Sequence, residues 1–215
     1  MNVVVSGSSR GIGLAIARRF LAEGCKVYGF DLCEAALVHP AYRHIRTDIR
    51  DEDLPAIPNP DILVNCAGTL EERDAISINL EGTIHFTKHF VGSPALRSVV
   101  FIASASARNG AEFPLYVASK AGIVGYMKNL ALELAPRGIT VNSVSPGGVI
   151  TSSNAHIIES EELYAAVLAE TLLGKWAEAD EIADLVWYLT AINRSMTGED
   201  ILVDNGEMLK SNFIW

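Results

Sequence analysis

The sequence predicts an α/β fold with a parallel sheet, forming a single domain over residues 1–215. Short β-branched and aliphatic runs, typical of strands buried on both faces, alternate along the chain with helical periodicity. The first run, Val3-Val4-Val5, leads directly into a glycine-rich turn and then a helix. Repeated units of this kind pack as an open parallel sheet with helices on both faces.

The first unit contains a candidate phosphate cradle. Gly7, Gly11 and Gly13 are spaced G-x-x-x-G-x-G, and the following helix ends at Gly24. Main-chain amides at a helix N-terminus attract anions, and glycine allows a ligand to come close. The spacing matches neither the common dinucleotide fingerprint nor the phosphate loop that requires GK[ST]. Taken alone, the turn is therefore either a diphosphate cradle or a plain tight turn.

The end of the second strand favours one dinucleotide over the other. Residues 26–30 predict this strand, and Asp31 follows it. An acidic residue here accepts hydrogen bonds from the adenosine ribose hydroxyls and repels the 2′-phosphate of NADP. Arg10 argues the other way, because a guanidinium beside the turn can pair with that phosphate. The balance favours NAD over NADP.

The remaining elements follow in order. Further strands are predicted at residues 61–65, 98–103, 138–144 and 201–204, with a short one at 45–48 that brings Asp48 near the adenine. Helices are predicted at residues 75–90, 116–136, 159–170 and 179–190. The strand at 98–103 delivers Ser104 to the carboxyl edge of the sheet, where open α/β sheets bind ligands.

Two histidines on the helix at 75–90 raise the question of a metal. His85 and His89 are one helical turn apart, a spacing that can hold an ion. No third ligand of suitable type is evident nearby in the sequence, so a packed or interface helix is predicted and no metal site.

Composition excludes several classes of protein. With 49% hydrophobic and 20% charged residues, the chain can form a globular core. It carries 26 acids against 17 bases, net −9, without a basic cluster, which argues against nucleic acid or membrane as partner. No apolar run approaches the roughly 20 residues of a membrane span, and no signal peptide is evident. Three cysteines without CxxC spacing predict reduced thiols in a cytoplasmic protein.

Tyr116 and Lys120 form the candidate catalytic pair. Residues four apart share a helix face, so the phenol and the ammonium can point into one pocket. A phenol normally loses its proton near pH ~10, and a neighbouring cation lowers that pKa towards neutrality. Such a phenol can act as general acid or base on an alcohol or ketone. In isolation, the same spacing also fits an ordinary surface pair.

Together these residues resemble the short-chain dehydrogenase/reductase family. The matching segments are Ser6-Gly7-x-x-x-Gly11-Ile12-Gly13, Asn65-Cys66-Ala67-Gly68, Asn79, Ser104, Tyr116-x-x-x-Lys120, Pro146-Gly147, Thr151 and Asp204-Asn205-Gly206. They run in order over nearly the whole chain. The resemblance implies a three-layer, Rossmann-like, doubly wound parallel sheet. It also implies a nicotinamide cofactor and a catalytic tetrad.

The resemblance implies a role for each tetrad member. Ser104 would hold the substrate oxygen, and Tyr116 would exchange a proton with it. Lys120 would lower the pKa of the tyrosine and grip the nicotinamide ribose. Asn79 would position a water that links the lysine to solvent.

The resemblance also implies a cofactor-binding set. Its members are Gly7, Ser9, Arg10, Gly11, Ile12, Gly13, Asp31, Asp48, Asn65, Ala67, Gly68, Tyr116, Lys120, Pro146, Gly147, Val149 and Thr151. Main-chain groups near Gly147 to Ile150 and the Thr151 hydroxyl would orient the carboxamide.

Two spacings depart from the family pattern. Only 11 positions separate Gly68 from Asn79, which predicts a truncated helix and loop. Ser104 lies 12 positions before Tyr116, one short of the usual spacing, so Ser106 is the reserve candidate.

These observations predict an NAD-dependent oxidoreductase that interconverts a secondary alcohol and a ketone. The alternatives are an NADP-dependent carbonyl or 3-oxoacyl reductase, and a non-catalytic dinucleotide-binding regulator. The resemblance implies a homodimer or homotetramer. Residues 151–175 are predicted to form a substrate lid with an apolar surface from Leu163, Tyr164, Leu168 and Leu172. The apolar tail, residues 212–215, is predicted to pack on the subunit interface or near the pocket.

Overall fold

A computed structural model gives the fold, and it describes residues 1–111 and 113–210. The main sheet has seven strands, all parallel, in the order β3-β2-β1-β4-β5-β6-β9. The strands are β1 Asn2–Ser6, β2 Lys26–Asp31, β3 Tyr42–Arg46, β4 Ile62–Asn65, β5 Ser98–Ile102, β6 Thr140–Pro146, β7 Val149–Ile150, β8 Ala177–Glu178 and β9 Asp200–Val203. This confirms the predicted Rossmann-like parallel sheet.

Helices connect most of these strands. They are α1 Gly11–Ala22, α2 Glu72–Ala75, α3 Thr83–Phe90, α4 Ser106–Asn109, α5 Pro114–Leu134, α6 Ala155–Ile158, α7 Glu161–Ala169 and α8 Ala179–Trp187. The π-helical segment Ile76–Gly82 joins α2 to α3, and a second one, Tyr188–Ile192, follows α8. Single 3₁₀ turns lie at Ala135–Arg137, Ser152–Asn154 and Glu207–Leu209.

Alternate residues of each strand supply two hydrophobic cores, one on each face of the sheet. In β1, Val4 packs in the core that contains residues of α3 and α5. Val3 and Val5 pack in the other core, with residues of α1 and α8. Because side chains alternate across a strand, a sheet buried on both faces needs apolar residues at consecutive positions. This explains why the strands appear in the sequence as continuous apolar runs.

Two connections between parallel strands contain no helix. Residues 32–41 link β2 to β3, and residues 47–61 link β3 to β4, without regular structure. Pro40 interrupts the first connection, and Pro55, Pro58 and Pro60 interrupt the second. Proline removes a backbone donor and restricts the residue before it, so neither stretch can continue a helix.

The short third strand begins and ends earlier than predicted. The sequence prediction was residues 45–48, whereas β3 is Tyr42–Arg46. Its last residue, Arg46, lies opposite Asp31, where β2 itself ends. Asp48 therefore lies in the loop after the strand, because β2 offers no partner residues beyond that point.

The segment between β6 and α8 leaves the main sheet and returns to it. A two-stranded parallel ladder of β7 and β8 pins its ends together, and Ala177 N donates to Gly148 O. Residues 151–175 contain no strand, as predicted, and carry α6 and α7. The sequence did not predict the small β7–β8 ladder, since two-residue strands carry no periodic signal. The tail at 212–215 lies outside the described residues.

Candidate active site

A cleft of about 530 Å³ crosses the carboxyl ends of the strands. The strand order reverses between β1 and β4, which is where open α/β sheets form a ligand crevice. Its walls include the residues Gly7, Arg10, Gly11, Ile12, Gly13, Asp31, Asp48, Ala67, Gly68, Ser104, Tyr116, Lys120, Pro146, Gly147, Val149 and Thr151. Fifteen of the predicted cofactor-binding set, together with Ser104, therefore line one cavity.

The glycine turn is too tight for any other residue. An added Cβ at Gly7 would lie 2.8 Å from main-chain atoms of Ala67, and Gly7 has φ +70°. At Gly13 the added atom would lie 2.0 Å from Gly7 O. No described side chain caps the N-terminus of α1, whose N-cap residue is Arg10. The turn therefore presents helix-terminal amides to the cleft, as an anion cradle requires.

Asp31 is held in a fixed orientation at the far end of the cleft. Its Oδ2 accepts a hydrogen bond from Ser9 N at 2.8 Å, and its Oδ1 accepts one from Cys33 N at 2.8 Å. Each oxygen keeps a further lone pair for a ligand hydroxyl. Arg10 is exposed and lines the same cleft.

Asp48 lines the cleft near Asp31 and is paired within its own loop. Arg50 donates to both carboxylate oxygens, at 3.0 and 2.6 Å. This hydrogen bond lowers the pKa of the Asp48 carboxyl, against the opposing effect of partial burial. The Asp48 carboxylate is thus charged and paired with the Arg50 guanidinium.

α5 carries Tyr116 and Lys120 to the opposite end of the cleft. Lys120 is 6% exposed, and its Nζ donates to Ile102 O at 3.0 Å. The same ammonium nitrogen lies 5.7 Å from the centroid of the Tyr116 ring. Gly68 lies next to it, since an added Cβ there would be in ordinary contact with Nζ at 3.6 Å. The cation and the phenol ring therefore share one wall of the cleft.

Of the two candidate serines, Ser104 faces the cleft and Ser106 lies behind it. Ser106 is 4% exposed and does not line the cavity. Its hydroxyl donates to Ser104 Oγ at 2.9 Å, and its main-chain N–H donates to the same atom at 3.2 Å. Because Ser104 Oγ accepts both bonds, its own O–H can donate into the cleft that it lines.

Asn79 is fully buried in the π-helical segment, and its side chain holds the cleft wall. Its Oδ1 accepts from Thr69 N at 2.8 Å, while its Nδ2 donates to Thr69 O at 2.9 Å and to Ser119 Oγ at 3.1 Å. Both amide hydrogens are thus donated to protein atoms. The amide of Asn79 thus connects Thr69 to α5, and its water-positioning role stays a prediction.

Several of these partners have no signal in the sequence. Ile102 acts through its main-chain carbonyl, which any residue could supply. Thr69 acts through its backbone as well. Ser119 lies inside the Tyr-x-x-Ser-Lys segment, and its hydroxyl also donates to Tyr116 O at 2.7 Å.

The wall after β6 closes the cleft beside Tyr116 and Lys120. Gly147 N donates to Val203 O at 2.9 Å, and a Cβ at Gly147 would lie 2.9 Å from Asp204 Cβ. The Thr151 side chain lies over Gly11, 3.4 Å from the position of an added Cβ. The start of the predicted lid thus touches the glycine turn.

Two residues of the predicted cofactor set lie behind the wall. Ser9 is 7% exposed and Asn65 is 4% exposed, and neither lines the cavity. Among the described residues, the Ser9 hydroxyl and both amide atoms of Asn65 have no hydrogen-bond partner. Buried polar groups are normally satisfied, so these three atoms are exceptions among the described residues.

Cys66 is a half-buried thiol on the cleft wall beside Gly13. Burial raises its pKa to about 12, although the Lys120 charge acts in the opposite direction. Burial thus disfavours the thiolate, which is the reactive form of cysteine.

The predicted lid contributes only its first residues to the cleft. Thr151, Ser153 and Asn154 line it. Leu163 and Leu172 are exposed, and Tyr164 packs edge-on against Trp176. The predicted apolar lid surface therefore lies away from the cavity in this structure.

Within residues 1–111 and 113–210, no cluster of three or more His, Cys, Asp or Glu side chains could hold a metal ion. His85 Nε2 bonds the main-chain oxygen of Asp51 at 2.9 Å, and His89 stacks edge-on against Phe90. Over the same described part of the chain, no helix has the length and apolar character of a membrane span.

Known enzymes are similar to this chain over almost its full length. A family model described as Enoyl-(Acyl carrier protein) reductase matches residues 7–207. The 3-oxoacyl-[acyl-carrier-protein] reductase FabG of Salmonella typhimurium is 30% identical, covering 94% of this chain and 95% of that protein. The 2-dehydro-3-deoxy-D-gluconate 5-dehydrogenase of Escherichia coli is 26% identical, covering 94% and 93%.

Solved structures share the whole architecture. The aldohexose dehydrogenase of Thermoplasma acidophilum superposes with a TM-score of 0.87 at 26% identity, covering 100% of this chain and 96% of that one. The 4-hydroxyisoleucine dehydrogenase complexed with NADH gives 0.85 at 25%, covering 98% and 99%. A structure from Agrobacterium tumefaciens with bound NADP gives 0.84 at 26%, covering 97% and 96%.

Proposed function

Because the chain belongs to the short-chain dehydrogenase/reductase family of oxidoreductases, we propose that it interconverts a secondary alcohol and a ketone with NAD. One observation carries the proposal: Tyr116, Lys120 and Ser104 line one end of a cleft whose other end is formed by Asp31. A proton-transfer group and a ribose-binding carboxylate in one crevice fit a dinucleotide-dependent reaction on a small alcohol.

The residues fit the cofactor. The glycine cradle and the uncapped N-terminus of α1 suit a diphosphate. The oriented Asp31 carboxylate suits the ribose hydroxyls. Lys120 would hold the second ribose, and Gly147, Val149 and Thr151 the carboxamide.

Asp31 supports NAD rather than NADP. A 2′-phosphate beside this carboxylate would meet like charge, and both Asp31 oxygens are already fixed by main-chain amides. Arg10 supports the alternative, because it is exposed on the same cleft and could pair with the phosphate. Similar structures carry NADH in one case and NADP in another.

The reaction assigns a step to each polar side chain. When bound, the nicotinamide supplies hydride exchange with the substrate carbon. The Ser104 O–H donates a hydrogen bond to the substrate oxygen. In oxidation Tyr116 accepts the alcohol proton at its phenolate oxygen, and in reduction it returns that proton to the ketone oxygen. The Lys120 ammonium beside the ring favours the phenolate form.

Asn79 connects the two walls of the cleft at the end that contains Tyr116 and Lys120. It binds the main chain of Thr69 on the cleft wall and the hydroxyl of Ser119, which lies next to Lys120 on α5. The two walls of the substrate end are thereby held at a fixed separation. Proximity of this kind is a large part of the advantage of a preorganised site.

Residues 151–175 are proposed as the substrate lid. The β7–β8 ladder pins both ends of this segment, while Thr151, Ser153 and Asn154 line the cleft. Leu163 and Leu172 are 50% and 58% exposed, so the segment has apolar surface to bury when it closes over an apolar substrate.

A homodimer or homotetramer is proposed as the working assembly. The outer face of α5 supports it, since Leu132 is 78% exposed there. Exposed apolar side chains on a long helix suit a packed interface.

The wild-type chain tests the proposal directly. Reduced nicotinamide is followed at ~340 nm with NAD or NADP and a panel of secondary alcohols, cyclic diols, sugars and hydroxy acids, and in reverse with ketones and 3-oxoacyl thioesters. We expect turnover with NAD to exceed turnover with NADP. A preference for NADP would favour the 3-oxoacyl or carbonyl reductase alternative. Cofactor binding without turnover on any substrate would favour the non-catalytic regulator.

A further inference from the structure

The adenosine end of the cleft is formed by a connection that lacks its own helix. Asp31, Leu32 and Cys33 line the cavity there, and residues 32–41 continue to β3 without regular structure. A main chain without internal hydrogen bonds needs other partners to keep one conformation. Side chains of β3 supply them.

His44 and Arg46 hold the two carbonyls that follow Asp31. His44 Nε2 lies 3.0 Å from Cys33 O, and Arg46 Nε donates to Leu32 O at 3.1 Å. Residues two apart on a strand share a face, which brings both side chains onto the same loop. Since a carbonyl only accepts, His44 Nε2 carries the hydrogen in this bond.

A chain of hydrogen bonds leads from His44 into the protein interior. His44 Nδ1 lies 3.4 Å from the Tyr42 hydroxyl, and that hydroxyl lies 3.0 Å from Ser8 Oγ. Ser8 belongs to the glycine turn and is fully buried. An added Cβ at Gly29 would lie 2.3 Å from both the Ser8 and Tyr42 oxygens. The hydrogen bond between Ser8 and Tyr42 can pass β2 only because Gly29 has no side chain.

The glycine turn and the Cys33 loop are therefore joined twice. Asp31 links them directly, because it accepts from both Ser9 N and Cys33 N. The second link runs from Ser8 through Tyr42 and His44 to Cys33 O. It holds Ser8, which precedes the Ser9 amide, and the carbonyl of Cys33, whose own amide is the second donor to the Asp31 carboxylate.

We propose that Tyr42 and His44 are positioning residues for cofactor selection, which hold the Ser9 and Cys33 amides so that Asp31 presents its carboxylate to the adenosine ribose. This inference rests on the proposed function. It predicts that loss of the bridge weakens binding of the adenosine half and reduces discrimination against the 2′-phosphate. The proton-transfer end of the cleft is unaffected.

Two substitutions of one residue separate the two contacts of His44. In His44→Gln the side-chain amide nitrogen can replace Nε2 and keep the bond to Cys33 O. In His44→Asn the shorter amide can replace only Nδ1, so the Cys33 contact is lost. Tyr42→Phe breaks the bridge at its centre. Arg43→Gln is the matched control, because Arg43 is an exposed neighbour on the opposite face of β3.

Dissociation constants for NADH and NADPH are measured by titration, with the fluorescence of the reduced nicotinamide as the signal. The kcat value is measured separately, at saturating NAD with the best alcohol. We expect His44→Asn and Tyr42→Phe to weaken NADH binding by about 3- to 10-fold, the effect of one lost hydrogen bond. Their NADPH-to-NADH preference should rise and kcat should stay unchanged. Arg43→Gln should resemble the wild type. His44→Gln keeps the 3.0 Å contact with Cys33 O and loses only the longer 3.4 Å contact with Tyr42, so its loss of NADH binding should be smaller than that of His44→Asn.

Unchanged NADH binding in both His44→Asn and Tyr42→Phe would overturn the positioning role. A fall in kcat that parallels the loss of binding, or equal loss in His44→Gln and His44→Asn, would also overturn it by indicating general damage. If the wild type binds neither NADH nor NADPH, the proposed function itself is wrong. Failure of the proposed function can be distinguished from failure of the positioning role, because it is already seen in the wild type.

Discussion

Lys120 is the residue on which the proposed proton transfer depends. It is a cation at 6% exposure, and burying a charge is costly unless hydrogen bonds compensate. The Ile102 carbonyl accepts one of its hydrogen bonds at 3.0 Å. The ammonium nitrogen then lies 5.7 Å from the centroid of the Tyr116 ring. The fold therefore maintains a buried positive charge beside the one phenol on the cleft wall in the described structure.

Replacement of this cation should change the pH profile of turnover. Alcohol oxidation requires the phenolate, so its rate rises with pH as Tyr116 loses its proton. Because a nearby cation favours the phenolate, Lys120→Met should move that rise to higher pH. The measurement is kcat against pH at saturating NAD, with the exposed Lys128→Met on the same helix as control. A rise at the same pH in both variants would show that Lys120 does not tune the phenol.

At this scale, the sequence predicted the side chains but not their supports. The spacing of Tyr116 and Lys120 and the position of Ser104 indicated residues that the cleft does bring together. The Ile102 carbonyl and the Thr69 backbone could not be predicted, because main-chain groups are the same at every residue. Asn79 was found, but its amide contacts depend on how Thr69 meets α5.

α5 is the element that organises the substrate end. Pro114 occupies its first turn, where a missing N–H costs nothing. Tyr116, Ser119 and Lys120 follow within two turns. The helix packs on the π-helical segment Ile76–Gly82, and Gly122 allows this close approach, since an added Cβ would lie 2.8 Å from Leu80 Cδ2. π-helical turns often occur at functional sites, and this one carries Asn79.

Two glycines on α5 test this packing. Gly125 has no atom within 4 Å of an added Cβ, so Gly125→Ala should raise the free energy of unfolding by about 0.5–1 kcal/mol. Gly122→Ala has the same propensity gain but must displace Leu80, so its unfolding free energy should fall below that of Gly125→Ala. Urea unfolding of both variants measures the difference. Equal stabilisation by the two alanines would mean that α5 does not pack closely on Leu80.

Among elements, long periodic ones were predicted well and short ones were not. The strands at β1, β2 and β4 and the helix α5 are close to their predicted bounds, because apolar runs and helical stripes extend over many residues. α4 and the β7–β8 ladder escaped prediction, since four residues or fewer carry no period. The strand β3 was displaced because pairing with β2, rather than its own composition, sets its ends.

At the scale of the whole molecule, acidic character makes the stability depend on pH. Glu207 is half-buried, and burial raises the pKa of its carboxyl, with further contributions from Asp204 and Glu170. The folded chain then binds this proton more tightly than the unfolded chain. Its contribution to stability is therefore present at low pH and falls as pH rises from the unfolded pKa through the folded one.

Removal of this charge should stabilise the protein only above that range. We expect Glu207→Gln to raise Tm more at about pH 8 than at about pH 4, because the folded carboxyl is ionised to a greater extent at the higher pH. The exposed Glu199→Gln serves as the control for net charge. An equal change of Tm at both pH values would contradict the assigned burial effect.

The fold class was predictable at this scale, whereas the cleft's adenosine edge was not. Buried strands that alternate with helices favour a doubly wound parallel sheet. The strand order reverses between β1 and β4, and the cleft lies at that point. Pro55, Pro58 and Pro60 keep residues 47–61 from continuing a helix. The sequence did not indicate that His44 and Arg46 would hold the unstructured connection at Cys33 and Leu32, because such contacts exist only after β3 has paired.

The central claim is that the Tyr116 phenol carries the reacting proton. The most direct measurement is kcat of Tyr116→Phe at saturating NAD and alcohol, together with the NADH dissociation constant. Tyr126→Phe is the matched control, since Tyr126 lies on the same helix, packs against Phe101 and does not line the cleft. We expect kcat of Tyr116→Phe to fall by about 100-fold or more, with NADH binding retained and Tyr126→Phe active. Turnover of Tyr116→Phe close to the wild type would contradict the account.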